Sequence, residues 1–208
     1  MTIASYSDLL TATSDWLSRN DIDAARSADF VTLFEAYASR LLRDSRMEIS
    51  DTLAADSGTA AIDLPSEFVE MRSLRHSTSP YEWLAVEPPA SLGETLPTAP
   101  AGRPSRYSIV ARQIVLWPTP DTSYDLAIVY FGGLRRLAAT PVGLTTNWLL
   151  SAAPDAYLNG SIAEAADYLD NDRLSAKFGA KRDAALDALI TNAMRTRMGA
   201  GPLVTRAG

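Results

Sequence analysis

Asn147–Leu169 reads NWLLSAAPDAYLNGSIAEAADYL, and the rest of the chain is organised around this stretch. Asn147 can cap a short helix. Pro154 then opens a second helix, where its missing N–H costs nothing and Asp155 faces the positive helix end. Leu158, Ile162, Ala165 and Leu169 recur at helical spacing, with Tyr157, Glu164 and Tyr168 one step round. Ala163, Ala165 and Ala166 are small enough for another backbone to approach. The pattern predicts the central helix of a bundle.

Composition narrows the chemistry. The chain has 208 residues, 47% of them hydrophobic, enough for one sizeable core or for a domain with an inserted subdomain. It has no cysteine, which excludes disulfides and thiolate metal sites. His76 is the one histidine, so a His-rich metal cluster lacks its raw material. MTIASYSDLL lacks the basic start and apolar core of a signal peptide, and no apolar run approaches a membrane span. The net charge is −6, unfavourable for tight wrapping of nucleic acid. All basic residues except Lys177 and Lys181 are arginines, the cation favoured at protein interfaces. No internal repeat is visible.

In chain order, Ser5–Asp8 reads as a capping region for a helix with Leu9, Ala12, Trp16 and Leu17 on one side, ended by Asn20-Asp21. Ser27 or Asp29 is expected to cap the next helix, whose stripe is Phe30, Leu33, Phe34, Tyr37 and Leu41. Arg40, Arg43 and Arg46 follow near its C-terminal end. They read either as a solvated basic end opposing the helix dipole or as an interface.

After Met47 the period becomes two. Met47-x-Ile49 and Thr59-x-Ala61 alternate on either side of Asp56-Ser57-Gly58. Leu64–Phe68 reads as a turn with one helical turn, Val69–Arg72 as extended, and Tyr81–Leu84 as a strand. Residues 88–104 form a Pro-, Ala- and Gly-rich loop with a short helix at 91–96, either a surface excursion or a contact element. Tyr107–Val110 and Gln113–Trp117 predict a hairpin turning at Ala111-Arg112. Tyr124–Phe131 is the clearest strand, with Tyr124, Leu126, Ile128 and Tyr130 on one face before Gly132-Gly133. A last helix is expected from about Asn171 to Arg197, stopped by Gly199-Ala200-Gly201-Pro202.

The expected fold is therefore α+β. Residues 1–46 and 147–197 form a helical bundle, 47–146 an inserted antiparallel β subdomain, and 198–208 an extended C-terminal arm.

No catalytic constellation emerges. His76 lies near Ser77 and Ser79 without a nucleophile elbow and reads as a surface or turn histidine. Glu67/Glu70 and Asp170/Asp172 could imitate a carboxylate pair. Asp170-Asn171-Asp172 has only the start of an EF-hand loop, and reads instead as an interhelical turn capped by Asp172. There is no Walker loop or dinucleotide fingerprint. Trp16, Trp83, Trp117 and Trp148 read as core or interface anchors. From Ala188 onward the chain has Arg195, Arg197 and Arg206 but no acid, with Met198, Leu203 and Val204 among them. This is either a frayed terminus or an arm that orders on a partner.

SYSDLLTATSDWLSRND, DFVTLFEAYASRLLRDSRM, LPSEFVEMRSLR, GRPSRYSIVARQIVLWPTP, YDLAIVYF and the central NWLLSAAPDAYLNGSIAEAADYL occur in one order over nearly the whole chain. Together they resemble the head-to-tail adaptors, or connectors, of tailed bacteriophages, as found below the portal in short-tailed phages. Leu64-Pro65, Pro118-x-Pro120 and Asn147–Leu150 with Pro154-Asp155-x-Tyr157-Leu158 are the most telling parts. Phe131-Gly132-Gly133 departs from the usual polar or Pro-containing strand ending.

The resemblance implies a virion neck protein made in the host cytoplasm, assembled as a dodecameric ring between the portal and the tail tube or nozzle. Double-stranded DNA would pass through the channel without specific binding. It implies a C-terminal segment reaching onto the portal, here Met198–Gly208, and no catalytic residue, cofactor or membrane. Arg195, Arg197, Met198, Leu203, Val204 and Arg206 are then the portal-docking candidates. Arg40, Arg43, Arg46, Trp83 and Leu96 are candidates for a subunit or tail interface. The rival expectations are a glycan hydrolase using two converging carboxylates and a small DNA-binding regulator with a basic face.

Overall fold

The computed structural model describes residues 3–17, 23–91, 100–138 and 144–198, with Arg197 and Met198 described by backbone only. The chain is α+β and divides into two compact units, Met1–Arg46 with Leu134–Gly208, and Met47–Gly133.

The first unit is helical: α1 (Tyr6–Leu17), α2 (Ala24–Leu41), α3 (Trp148–Ala152), α4 (Pro154–Tyr168) and α5 (Asp172–Met198). Each begin follows from local chemistry. Ser5 and Asp8 form a reciprocal capping box on α1: Asp8 N donates to Ser5 Oγ at 3.2 Å and Ser5 N to Asp8 Oδ2 at 3.0 Å. The second helix starts earlier than expected. Asp23 is its cap, accepting from Arg26 N at 2.7 Å, and neither Ser27 nor Asp29 has that role. Ser27 is instead buried on the packed face. Asn147 Oδ1 accepts from Leu150 N at 2.8 Å and caps α3, while Pro154 opens α4. The cap of α5 is Asn171, whose Oδ1 accepts from Leu174 N at 3.1 Å, not Asp172, which is already helical. Asp170 before it takes φ 52°, a left-handed conformation that Asp tolerates and that ends α4 tightly.

The central helix α4 is covered nearly all round, and it packs against α1, α2, α3 and α5. Helix α2 approaches it closely at Gly160. A Cβ on Gly160 would lie 2.1 Å from Phe34 Cδ2, so the α2 ring rests directly on the α4 backbone. Phe34 and Tyr157 meet edge-on, with centroids 4.9 Å apart.

The second unit has two sheets. Strands β1 (Glu48–Ala55), β7 (Tyr124–Gly132) and β3 (Phe68–His76) form one, in the order β1-β7-β3. Strands β2 (Ala61–Asp63), β6 (Gln113–Trp117), β5 (Arg106–Val110) and β4 (Ala85–Val86) form the other, in the order β2-β6-β5-β4. The β5–β6 hairpin turns at Ala111 and Arg112, at φ 47° and 65°, the conformation of a type I′ turn. Arg112 steadies the turn by donating to Pro65 O at 3.0 Å and Ser66 O at 3.2 Å.

Tyr81–Leu84 is not a strand in its own right. Trp83 makes an isolated antiparallel bridge to Arg75, and the ladder forms at Ala85–Val86, parallel to β5. Residues 82–87 therefore run along β3 first and β5 second: His76 N donates to Glu82 O, Leu84 N to Leu74 O, and Ala85 N to Ser105 O. This joins the edges of the two sheets around one core, which includes Leu64, Leu74, Leu84, Tyr107, Ile114, Leu116, Leu126, Ile128 and Tyr130. Leu64–Phe68 forms a turn without a helical turn. A helical turn begins at residues 89–91, two residues ahead of the short helix expected at 91–96, and residues 92–99 lie outside the described residues.

Candidate functional site

Three kinds of side-chain constellation could carry function: a buried polar junction, an ion-and-aromatic cluster on the bundle, and exposed aromatic and basic surfaces.

The junction centres on Glu35. Val31, Glu35, Ala38 and Leu42 share the buried side of α2, so an acid stands where an apolar residue is expected. Glu35 Oε1 accepts from Leu137 N at 2.8 Å and from Tyr157 Oη at 2.9 Å. Tyr157 Oη also accepts from Asn147 Nδ2 at 2.6 Å, and Asn147 donates to Arg135 O at 2.8 Å. One turn along α2, Ser39 Oγ accepts from Leu134 N at 3.3 Å. Side chains of α2 thus hold the segment that leads into the C-terminal helices, by its amides at 134 and 137. Burial raises the Glu35 carboxyl above its ordinary value, although the hydrogen bonds from Leu137 and Tyr157 and the charge of Arg136 oppose the shift. Burial, followed by the charge of Glu35, also raises the Tyr157 hydroxyl. An acid fixed this way, in contact with backbone and a phenol, is a structural bolt.

The second cluster joins α2, α4 and α5. Tyr37 Oη donates to Asp183 Oδ1 at 3.0 Å, and the Arg182 guanidinium stacks 4.0 Å from the Tyr37 ring centroid. Arg182 also pairs with Asp183 at 2.9 Å and Glu164 at 3.4 Å. The bond from Arg182 holds Asp183 below its ordinary value, whereas burial raises Glu164. A polar cleft of about 230 Å³ lies beside it, lined by Glu164, Asp167, Ser175, Gly179 and Arg182 among others. Arg182 and Glu164, on its wall, are already paired across the two helices.

The three arginines at the end of α2 have partners of their own. Arg43 donates to Leu42 O at 2.6 Å and Ser39 O at 3.2 Å, satisfying carbonyls at the helix end. Arg46 grips Asp44 with two hydrogen bonds of 2.8 and 2.9 Å and covers the Trp148 ring at 4.2 Å. Arg40 lies 6.0 Å from the Tyr37 ring centroid. Arg195 is exposed on the last turns of α5, where Met194 is also exposed. For Arg197 and Met198 only the helical backbone is described, and Leu96, Leu203, Val204 and Arg206 lie outside the described residues.

None of the four tryptophans is fully buried. Trp117 and Trp148 are half-buried, whereas Trp16 and Trp83 stand largely in solvent. His76 corrects the sequence reading. It is fully buried at the end of β3, with Nε2 2.7 Å from Pro104 O and its ring edge-on to Tyr124. It ties the end of the 88–104 loop to the sheet, helped by Arg103, which donates to Pro80 O.

Among the described residues, no group of three or more His, Asp or Glu side chains could hold a metal ion. No described helix is long and apolar enough to cross a membrane. The sequence profile of SU10 adaptor protein matches residues 4–206. The chain belongs to the SU10 adaptor protein family. It is a phage adaptor, a structural and non-enzymatic protein, and the glycan-hydrolase alternative falls with that assignment. The family places it among virion proteins. No curated protein matches the chain.

Proposed function

We propose that this adaptor assembles as a ring, dodecameric by resemblance, that joins the portal to the tail tube or nozzle and leaves an open path for double-stranded DNA. The observation that carries this reading is the family match over residues 4–206. The exposed aromatic and basic side chains at Trp16, Trp83 and Arg195 support it, since Trp and Arg dominate protein contacts. The portal-docking arm is 198–208, which starts at the last residue of α5 and has Arg206, Leu203 and Val204 as contact residues and no acid to repel an acidic partner. Arg195, Arg197 and Met198 form its root. Trp83 and Leu96 of the inserted region face the next tail component or an adjacent subunit. Arg40, Arg43 and Arg46 add a basic rim while they hold the end of α2. The charge of −6 suits a channel wall that DNA slides past.

Deleting residues 199–208 tests the arm. The expected phenotype is particles with filled heads and no stable tail, while the purified truncated chain keeps the helical circular dichroism of the full chain. Portal binding at full strength by the truncated chain would overturn the assignment of the arm.

A further inference from the structure

The three most exposed large apolar side chains among the described residues lie within six positions of each other: Tyr81 at 64%, Trp83 at 65% and Val86 at 70% exposure. They sit on the segment that joins the two sheets, held by backbone hydrogen bonds to β3 and β5. Arg75, cross-strand from Trp83, places its guanidinium 5.6 Å from the Tyr81 ring centroid and 5.9 Å from that of Trp83. Its polar contact is a long 3.4 Å bond to His76 O, and among the described residues it joins no ion pair. Two rings and a cation, held on an edge by backbone hydrogen bonds, have the composition of a contact centre; Glu82 between the rings pairs with Arg103 at 3.8 Å.

The same unit has a second surface of opposite character. Strand β1 is an edge of the β1-β7-β3 sheet. Ile49, Asp51 and Leu53 share its inward alternation, and Ile49 and Leu53 pack partly on the core. Asp51 stands between them, exposed, across from Ile128. Its Oδ1 accepts from Thr52 N at 2.7 Å, and among the described residues it also joins no ion pair. An acid at an apolar position of an edge strand guards against indiscriminate strand pairing and selects for a partner that brings a cation.

We propose that copies of this chain associate head to tail through the inserted β unit, with the Arg75–Tyr81–Trp83–Val86 surface of one copy on the β1 edge of the next and Arg75 meeting Asp51. The occupant is a second copy because the two surfaces are complementary in charge and form, exposed rings with a cation against an open strand edge with an acid. Because they are different patches, the contact is heterologous, the kind that generates rings. This rests on the ring reading above and specifies the contact within it.

The absence of cysteine makes the test direct. Thr52, next to Asp51 on the β1 edge but on its opposite side, and Val86, in the aromatic patch, are both exposed. Virions carrying Thr52→Cys with Val86→Cys in the same chain, treated with a short bis-maleimide, should give a ladder of cross-linked multimers. Either single variant should give none. Arg75→Glu should cut the cross-linking yield about tenfold, and adding Asp51→Arg should restore it. The proposal is overturned by virions that show this protein as a ring but give no ladder, by dimers from a single-cysteine variant, or by a charge reversal that restores nothing. Virions with no ring of this protein at all would instead overturn the function reading itself.

Discussion

Replacing Gly160 by Ala sets two effects of opposite sign against each other. In an exposed helix interior this change stabilises, because Ala exceeds Gly in helix propensity by about 1 kcal/mol. Here the new methyl would sit 2.1 Å from Phe34 Cδ2 and 2.6 Å from Cγ and Cε2 of the same ring. Phe34 is fully buried and fixed edge-on against Tyr157, so the ring cannot swing into solvent. Either α2 moves away from α4 or the ring leaves its rotamer. Overpacking of this kind costs roughly 1–3 kcal/mol, and a clash with a whole ring belongs at the upper end. The net expectation is destabilisation by about 2 kcal/mol, a fall in Tm of roughly 4–8 °C for a chain of this size. Thermal melts followed by circular dichroism at the helix band measure it. Phe34→Leu supplies the control, since a smaller side chain makes room for the methyl. The double variant should therefore be more stable than the sum of the two single changes predicts. A Gly160→Ala variant that melts at or above the parent, or strict additivity with Phe34→Leu, would refute the claim that this ring sets the α2–α4 spacing.

Glu35→Gln removes a carboxyl whose folded value is raised by burial. The folded state therefore holds its proton more tightly than the unfolded chain, and this group's contribution to stability is present below the ordinary value and lost as pH rises through the raised one. Between those limits the parent should lose stability with rising pH relative to the Gln variant, as read from urea midpoints at matched pH values; parallel curves would contradict it. Asn147→Ala removes the cap of α3 and both donors to Tyr157 and Arg135, so a loss of about 2–4 kcal/mol is expected in denaturant titrations. Asn171→Ala should cost about 1 kcal/mol and Asp172→Ala less, because Asn171 caps α5; the reverse order would show the cap to be misassigned.

Much of the fold was legible because periodicity reports burial. Pro154, the alternation of Tyr124, Leu126, Ile128 and Tyr130, and the hairpin turn at Ala111-Arg112 appear where the pattern placed them. What could not be read was set by tertiary partners. His76 has no sequence neighbour that foretells Pro104 O, 28 residues on, so it read as a surface residue. Asp23, Ser27 and Asp29 are all chemically able to cap α2; Asp23 does so by accepting from Arg26 N, and Ser27 and Asp29 already lie within the helix, Ser27 on its buried face. Glu35 did leave a signal, an acid in register with Val31, Ala38 and Leu42, and its partners at 137 and 157 lie too far along the chain for any local pattern. The arginines after α2 show the limit for site residues: spacing locates them at a helix end, while the structure assigns Arg46 to Asp44 and Trp148.

The central claim is that this chain works by gripping other proteins, with the portal first among them. Native mass measurement of the purified chain, of the purified portal and of their mixture tests it most directly. The account predicts a discrete complex in the mixture, heavier than the portal by a fixed number of adaptor chains, that is lost when residues 199–208 are removed. A mixture whose components keep their separate masses at every ratio would contradict it.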